Sequence, residues 1–377
     1  MKVALVHDYI KEYGGAERVL TALHEIFPSA PVYTSVYLPE FLGPHRDKFK
    51  GWDIRPSYLQ KMPFAAKLIS PFRIISPWFF ENIDLMAYDI VIVSSTGAYF
   101  PNLITTRSDA VHICYCHTPP RYLYGYPTAR KWSENKLIKF ISELFNSRLR
   151  ITDFVSSKRP DYFIVNSEET RGRVKKFYRR ESTLIYPPVE MVDTLLKEKR
   201  RKGEKENKKT YYLTGGRLAR AKRIELLIKA CNKLKVPLKI FGKSFAGYED
   251  ELKQIAGETI EFLVEVTDKE MVNLYRDARA FLFAGEAEDF GIMPVEAQAC
   301  GIPVIGPNFA GVKETVINGT TGVLFGSYDV ESIVSAIKKL NTLTIKPEDC
   351  IENAKRFSKK RFQLEILEFV EKRKTLS

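Results

Sequence analysis

Two glutamates, Glu288 and Glu296, flank a glycine-containing loop that follows a short apolar stretch, Ala280–Ala284. The apolar stretch is typical of a buried parallel strand, and the residues after Gly291 are typical of a helix. A glycine before a helix lets a ligand approach the backbone closely, and the unpaired N–H groups of a helix N-terminus favour an oxygen-rich or anionic ligand. The spacing therefore predicts a strand, a loop and a helix, with two carboxylates close together at the turn where the helix begins.

The same residues also allow a purely structural interpretation. Pro294 is expected in the first helical turn, and Gly301 directly after the end of the helix. A glutamate in the first turn, as expected for Glu296, is favoured by the helix dipole alone by roughly 0.3–1 kcal/mol. Acidic loops are usually solvated, so it is the combination of both glutamates with the glycine turn that indicates a ligand.

A second candidate cluster follows the predicted strand Tyr211–Thr214. The pair Gly215–Gly216 leads into Arg217 and Lys222 just before a helical pattern. Cations at a strand-to-helix turn can neutralise a diphosphate leaving group through charge-assisted hydrogen bonds. The alternative is an ordinary basic loop.

The first half of the chain offers two further candidates. Gly14 and Gly15 lie between the predicted strand Val3–Val6 and a helical pattern, which is a plausible phosphate or sugar cradle and also a common turn. His117 ends the predicted strand Ala110–His117, and ligands bind at the carboxyl ends of strands in open α/β sheets. A lone histidine is more often structural.

The segment Glu288-Asp-Phe-Gly-Ile-Met-Pro-Val-Glu296-Ala resembles the retaining glycosyltransferases of family 4, in particular the mannosyltransferases that use GDP-mannose. The resemblance is strongest over Asp161–Val189 and Tyr211–Phe325. It implies the GT-B fold, an α/β architecture of two Rossmann-like doubly wound domains facing across a cleft. It also implies transfer of a sugar from a nucleotide-sugar donor to a glycan or lipid-linked acceptor. A UDP-sugar donor and a GT-B epimerase or hydrolase remain alternatives.

The resemblance also implies roles for single residues. Glu288, His117, Arg217 and Lys222 are the catalytic candidates, with the two cations holding the diphosphate and His117 near the donor sugar. The family more often has glycine after the lysine, where this chain has Arg223. The implied donor-binding residues, which extend from the phosphate loops to the base pocket, are Gly14, Gly15, Gly216, Arg217, Lys222, Gly242, Val266, Glu288, Phe290, Gly291, Ile292, Met293 and Glu296.

The length of 377 residues favours two domains. We expect an N-terminal acceptor domain at 1–190, a charged linker at 191–209 and a C-terminal donor domain at 210–356. The resemblance implies that a last helix, within 357–377, packs back on the first domain. No oligomeric state is predicted.

The formal net charge of +13 indicates anionic partners such as nucleotide phosphates or lipid head groups. Nucleic acid is the least favoured, because the paired glutamates would repel phosphates and no aromatic residue interleaves with the basic linker. The five cysteines lack disulfide spacing, and neither a signal peptide nor an 18-residue apolar run is found, which favours a cytoplasmic location.

A metal-independent reaction without a cofactor is expected, because the sequence contains no D-x-D motif. The cluster Cys114-x-Cys116-His117 lacks the second ligand pair of a zinc site.

Residues 52–80 combine large apolar side chains with lysine and arginine, and four prolines divide them into short pieces. This composition suits a segment that touches a membrane surface, and it equally suits one that packs on the first domain. Contact with a membrane would place the protein peripherally on its inner face.

Overall fold

The computed structural model describes residues 1–128, 136–191, 209–245, 247–263, 266 and 268–374. The chain forms two compact units, one of Met1–Tyr126, Lys131–Pro188 and Lys359–Ser377, the other of Pro127–Arg130 and Val189–Ser358. Most of the predicted linker 191–209 lies outside the described residues, as do Val264 and Glu265, which precede the donor-binding candidate Val266.

The first unit contains a seven-stranded sheet in which every pairing is parallel. Its order is β3-β2-β1-β4-β5-β6-β7, so the direction of winding reverses between β1 and β4. The strands are β1 (Val3–His7), β2 (Val32–Thr34), β3 (Ile54–Pro56), β4 (Ile90–Ser95), β5 (Val111–Cys116), β6 (Tyr162–Val165) and β7 (Thr183–Leu184).

Six helices belong to the described part of this unit: α1 (Gly15–Ile26), α2 (Ala65–Leu68), α3 (Ser76–Glu81), α4 (Lys136–Ser156), α5 (Glu168–Tyr178) and α13 (Lys359–Lys374). Short 3-10 helices occupy Pro39–Phe41, Gly43–Phe49, Tyr58–Lys61, Pro71–Arg73 and Pro101–Leu103. Phe362 and Ile366 of α13 are buried in the same apolar cluster as Leu20 and Leu23 of α1. The last helix is therefore part of the core of the first unit.

The second unit repeats this topology with a six-stranded parallel sheet of order β10-β9-β8-β11-β12-β13. Its reversal of winding lies between β8 and β11. The strands are β8 (Tyr211–Gly215), β9 (Leu238–Phe241), β10 (Ile260–Leu263), β11 (Ala278–Leu282), β12 (Val304–Pro307) and β13 (Gly322–Phe325). The helices are α6 (Ile224–Leu234), α7 (Tyr248–Ile255), α8 (Asp268–Asp277), α9 (Ile292–Ala299), α10 (Val312–Thr315), α11 (Val330–Leu340) and α12 (Pro347–Lys355), preceded by a 3-10 turn at Arg220–Lys222.

Central strands such as β1 are buried on both faces, which explains their continuous apolar sequence. Leu5 belongs to one apolar layer, whereas Ala4 and Val6 belong to the layer on the other side of the sheet. Each unit thus contains one doubly wound sheet, and the chain has the two Rossmann-like domains that the sequence predicts. In such sheets the loops at the carboxyl ends of the strands, beside the reversal of winding, form the usual ligand site.

One buried carboxyl group connects three pieces of the first unit. Asp153 on α4 accepts hydrogen bonds from the hydroxyls of Tyr124, at 2.7 Å, and Tyr178 of α5, at 3.0 Å. Burial raises the pKa of Asp153 to about 7, although the two hydroxyls act in the opposite direction. The folded state therefore holds a proton on Asp153 at pH values where the unfolded chain has lost it.

We predict that Asp153→Asn changes the free energy of unfolding, relative to wild type, more favourably at about pH 8 than at about pH 5. A raised folded-state pKa contributes stability that is complete below the ordinary aspartate pKa of about 4 and is lost as the pH rises through about 7. The amide stays neutral and escapes this loss. Urea unfolding at both pH values measures it, with the exposed Asp109→Asn as control. An equal difference from wild type at both pH values would show that Asp153 ionises normally.

Candidate functional site

The ends of β8 and β9 approach each other at a distance that only glycine permits. Gly216 and Gly242 have φ angles of +103° and +124°. A Cβ atom on Gly242 would lie 1.8 Å from the carbonyl oxygen of Gly216, and one on Gly216 would lie 2.6 Å from Sδ of Met293. The backbone after β8 is thereby held against the first turn of α9. Val266 is half-buried and packs, like Met293, on the neighbouring apolar cluster.

Helix α9 lies where the sequence predicts a helix, but its first residue, Ile292, is further from Glu296 than expected. Gly291 is its N-cap in the left-handed conformation, with φ +86°, and Gly301 follows its C-cap with φ +77°. The prediction that Glu296 lies in the first turn is wrong. The left-handed cap starts the helix at Ile292, so Glu296 is the fifth helical residue and the first turn contains no acid.

A buried amide network fixes α9 in place. Nε2 of Gln298 donates to the carbonyl oxygens of Thr315, at 2.8 Å, and Pro294, at 3.1 Å. Its Oε1 accepts from Nδ2 of Asn353 on α12 at 2.6 Å. Because buried amides are costly to leave unpaired, this network gives the N-terminus of α9 one orientation.

An ion pair joins two of the predicted catalytic residues. Nζ of Lys222 lies 2.7 Å from Oε2 of Glu288, and the two side chains are 25% and 22% exposed. The ammonium group also lies 5.1 Å from the centroid of the Phe283 ring. The backbone N–H of Glu286 donates to the carbonyl oxygen of Ala221 at 2.8 Å. The loops after β8 and β11, which flank the reversal of winding, are therefore connected through both side chains and backbone.

The departure from the family pattern at Arg223 has a visible structural consequence. Arg223 has φ +50°, a left-handed conformation that glycine adopts more readily. Its guanidinium donates to Glu225 at 2.7 Å and to Glu286 at 3.2 Å. These two contacts offset the backbone strain and tie the loop again to the residues after β11.

Arg217 lies differently from Lys222. It is exposed, and the centre of its guanidinium lies 5.8 Å from the centroid of the Phe245 ring. Phe290 is buried, with its ring 5.3 Å from that of Phe357, so its side chain packs inside the unit instead of facing a ligand. The structure thus pairs Lys222 with Glu288 and leaves Arg217 on the surface of the same unit.

The loop carrying Glu288 is fixed by a neighbouring glycine. The N–H of Gly311 donates to the carbonyl oxygen of Glu288 at 2.9 Å. A Cβ atom on Gly311 would lie 2.4 Å from both the carbonyl oxygen of Asp289 and Cα of Phe290. The hydroxyl of Tyr328 donates to the carbonyl oxygen of Gly285 at 3.1 Å. These contacts set the path of the loop before α9.

In the first unit, the candidates lie beside the reversal of winding between β1 and β4. Nε2 of His117 lies 2.9 Å from Oγ of Ser94, and this hydroxyl lies 3.1 Å from Nδ1 of His7. The N–H of Gly14, which caps α1, donates to Oε2 of Glu17 at 2.8 Å. Burial, and then the neighbouring His7, lower the pKa of His117 to about 3, so its ring is neutral near pH 7.

His7, Ser94 and Glu17 belong to this cluster but were not predicted from the sequence. Two signals were available. His7 ends the first strand just as His117 follows the end of β5, and Glu17 stands three residues after the helix cap, the spacing of a capping glutamate. Neither signal shows that the side chains meet.

Residues 52–80 divide between the two interpretations that the sequence left open. Leu59, Phe72 and Phe80 are buried in the core of the first unit. Three aromatic side chains remain largely exposed, namely Tyr58 at 76%, Phe64 at 74% and Trp78 at 61%.

Within the described part of the chain, no group of three or more His, Cys, Asp and Glu side chains is arranged to hold a metal ion. None of the described helices combines the length and apolar character needed to cross a bilayer.

Two family models match this chain. The one described as Glycosyltransferase Family 4 matches residues 13–192, and the one described as Glycosyl transferases group 1 matches residues 197–357. Between them they cover most of the sequence, and the chain belongs to glycosyltransferase family 4.

Two curated relatives carry the name alpha-1,3/1,6-mannosyltransferase ALG2. The protein of Rhizomucor pusillus is 27% identical over 288 residues, covering 64% of this chain and 60% of the relative. The protein of Homo sapiens is 24% identical over 264 residues, covering 63% of this chain and 61% of the relative. The match therefore spans about three fifths of the length of these relatives.

Solved structures share the fold over the whole chain. Sucrose-phosphate synthase from Thermosynechococcus elongatus superposes with a TM-score of 0.72 at 15% identity, with 100% of both chains covered. Anabaena Alr3699/HepE, solved in complex with UDP, gives 0.67 at 17% identity, with 99% of this chain and 100% of that one covered. At these identities the likeness establishes the two-domain GT-B fold.

We predict that Gly311→Ala lowers stability and impairs nucleotide binding although no polar side chain changes. The new methyl group would meet backbone atoms of Asp289 and Phe290 at 2.4 Å, so the loop before α9 must move. Gly326→Ala is the matched control, because its methyl group would meet nothing within 4 Å. Thermal unfolding with and without GDP measures both effects. Equal behaviour of the two variants would mean that the path of this loop is not important.

Proposed function

We propose that this chain is a retaining glycosyltransferase that moves mannose from GDP-mannose to a glycan or lipid-linked acceptor. The observation that carries the proposal is the Lys222–Glu288 ion pair at 2.7 Å, between the two loops that flank the reversal of winding in the second sheet. A nucleotide sugar bound there would meet a cation, an acid and the N-terminus of α9 within one unit. Membership of family 4 agrees with this assignment.

The ion pair suggests how the donor is received. A diphosphate is a stronger partner for Lys222 than one carboxylate, because it offers more charge and more acceptor oxygens. When Lys222 turns to the diphosphate, its ion pair with Glu288 is broken, and the Glu288 carboxylate can accept hydrogen bonds from the sugar hydroxyls. Binding of the donor would thus convert a resting ion pair into two separate contacts with the substrate.

The leaving diphosphate gains charge as the sugar departs, and Lys222 with the exposed Arg217 would neutralise it without a metal ion. The N–H groups of Gly291, Ile292 and Met293, at the start of α9, would orient the sugar, and Glu296 would bind the ribose. Gly242 and Val266 would lie beside the base. In the first unit, His117, Gly14 and Gly15 would serve the donor sugar and the acceptor.

GDP-mannose is proposed over a UDP-sugar because the sequence resembles the GDP-mannose group and two curated relatives are named as mannosyltransferases. The structure of Anabaena Alr3699/HepE was solved with UDP, so the same fold is also found with the other nucleotide. Comparing the rise in melting temperature given by GDP with that given by UDP separates the two donors. Release of free mannose without any acceptor would instead favour a hydrolase.

We predict different defects for the two members of the ion pair. Lys222→Met should weaken GDP binding and reduce kcat by about 10²–10³-fold, because a charge on the leaving group is no longer balanced. Glu288→Gln should keep GDP binding or strengthen it, because no carboxylate then competes for Lys222, and should still slow transfer strongly. Titration calorimetry with GDP and release of GDP from GDP-mannose in the presence of EDTA are the measurements.

A matched ion pair on the surface of the same unit serves as control. Lys233 and Glu331 also form a salt bridge but are 52% and 71% exposed. Lys233→Met and Glu331→Gln should keep wild-type binding and turnover. Wild-type turnover in both Lys222→Met and Glu288→Gln would remove the proposed site.

The acceptor is proposed to be lipid-linked, reached at the inner face of an anionic membrane through residues 52–80. The exposed Phe64 and Trp78 are the apolar anchors. Lys61 and Lys67 are exposed, with ammonium groups 5.7 Å from the Tyr58 ring and 5.9 Å from the Phe64 ring. Asp53, which is paired with Arg55, is the one acidic residue in the sequence of this segment, so little in it offsets the attraction to anionic lipid.

We predict that the protein sediments with phosphatidylglycerol vesicles and far less with phosphatidylcholine vesicles. Replacing both Phe64 and Trp78 by serine should weaken the binding several-fold, because the two rings no longer enter the interface. Leu364→Ser, a change at another exposed apolar residue of the first unit, is the control. Equal sedimentation of the double variant and the wild type would reject this segment as the membrane contact.

A further inference from the structure

A chain of polar side chains runs through the buried interior of the first unit from α1 to the end of β5. Oε1 of Glu17 lies 3.7 Å from Nε2 of His7, and Nδ1 of His7 lies 3.1 Å from Oγ of Ser94. The same hydroxyl lies 2.9 Å from Nε2 of His117. Each of the four side chains is less than a tenth exposed. The chain links three strands and a helix beside the reversal of winding.

The position of one proton decides the positions of the others. The Ser94 hydroxyl has a single hydrogen, so between two neutral rings it donates to one and accepts from the other. The Glu17 carboxylate favours a proton on Nε2 of His7, although 3.7 Å is longer than a hydrogen bond. Nδ1 of His7 is then bare and accepts from Ser94, and Ser94 in turn accepts from Nε2–H of His117.

We propose that Glu17, His7 and Ser94 are positioning residues that hold His117 in the tautomer with its proton on Nε2, so that Nδ1 is offered as a hydrogen-bond acceptor. Among the described residues Nδ1 of His117 makes no hydrogen bond, and it is not closed off from solvent as Nε2 of His7 is. Its fitting ligand is a donor hydroxyl group, such as one on a sugar.

The same carboxylate also fixes the loop that begins α1. Oε2 of Glu17 accepts the N–H of Gly14, while Oε1 faces His7. One side chain therefore couples the conformation of the Gly14–Gly15 turn to the tautomer of His117. The tautomer assignment is independent of the proposed transfer reaction, whereas its effect on turnover rests on that function.

Glu17→Gln should reverse the whole chain of hydrogen bonds. The N–H of Gly14 holds the amide oxygen in the place of Oε2, so the NH₂ group must face Nε2 of His7. His7 would then carry its proton on Nδ1 and donate to Ser94, and Ser94 would donate to Nε2 of His117. His117 would present N–H instead of a bare Nδ1, a donor in place of an acceptor.

Long-range ¹H–¹⁵N spectra of protein labelled at its five histidines distinguish protonated from bare ring nitrogens. They are recorded at about pH 8, above the ordinary histidine pKa, without any ligand, and a His117→Gln variant assigns the His117 signals. The wild type should show a proton on Nε2 of His117, and Glu17→Gln should show it on Nδ1. Glu25→Gln, the same change at an exposed residue of α1, should match the wild type.

A proton on Nδ1 of His117 in the wild type, or an unchanged tautomer in Glu17→Gln, would overturn the proposal. If Glu17→Gln does not fold, Ser94→Ala provides the second test. Without the bridging hydroxyl, His117 should exchange between tautomers and give averaged nitrogen shifts, and a fixed Nε2 proton in that variant would also overturn the proposal.

Turnover provides a separate readout of the proposed function. Glu17→Gln should lower kcat roughly 10–100-fold, because a sugar hydroxyl meets a donor where it needs an acceptor, while GDP affinity in the second unit stays the same. A reversed tautomer with unchanged kcat would support the positioning of His117 and would remove His117 from the transfer reaction.

Discussion

The structure of the candidate donor site depends on a close approach of backbones that only glycine allows. Gly216 and Gly242 lie at the carboxyl ends of β8 and β9, and a Cβ atom on Gly242 would stand 1.8 Å from the carbonyl oxygen of Gly216. The same approach seats the first turn of α9 against Gly216, through Met293. The N–H of Glu286 donates to the carbonyl oxygen of Ala221, so the loop that carries Lys222 and the loop that carries Glu288 are also joined through the backbone.

The two units share a topology but differ in the charge of the side chains at the reversal of winding. At the reversal of winding in the second sheet, a partly exposed ion pair can change partners when an anion arrives. At the corresponding place in the first sheet, His7, Ser94 and His117 are buried, and burial keeps His117 neutral. A neutral, buried hydrogen-bonding group is suited to recognise hydroxyls, whereas a partly exposed charged pair is suited to recognise a diphosphate.

Much of the fold follows from the sequence because the central strands are buried on both faces. The strands predicted at Val3–Val6, Ala110–His117, Tyr211–Thr214 and Ala280–Ala284 overlap the observed β1, β5, β8 and β11. Strands β2, β3 and β7 were not predicted, because two or three residues are too short for a pattern of their own, and β13 was missed as well. The glutamate expected in the first turn of α9 lies in its second, because the left-handed Gly291 begins the helix before Pro294.

The contacts between side chains were less accessible to the sequence. Spacing places Lys222 and Glu288 at the ends of two different strands, but only the order of the sheet makes β8 and β11 neighbours. The same holds for His7 and Ser94, which are 87 residues apart.

The most direct measurement of the proposed donor site is a crystal structure with GDP-mannose bound. We expect the diphosphate to lie against Lys222 and Arg217 and Glu288 to contact the sugar. An intact Lys222–Glu288 pair with the donor bound elsewhere would contradict the proposed site.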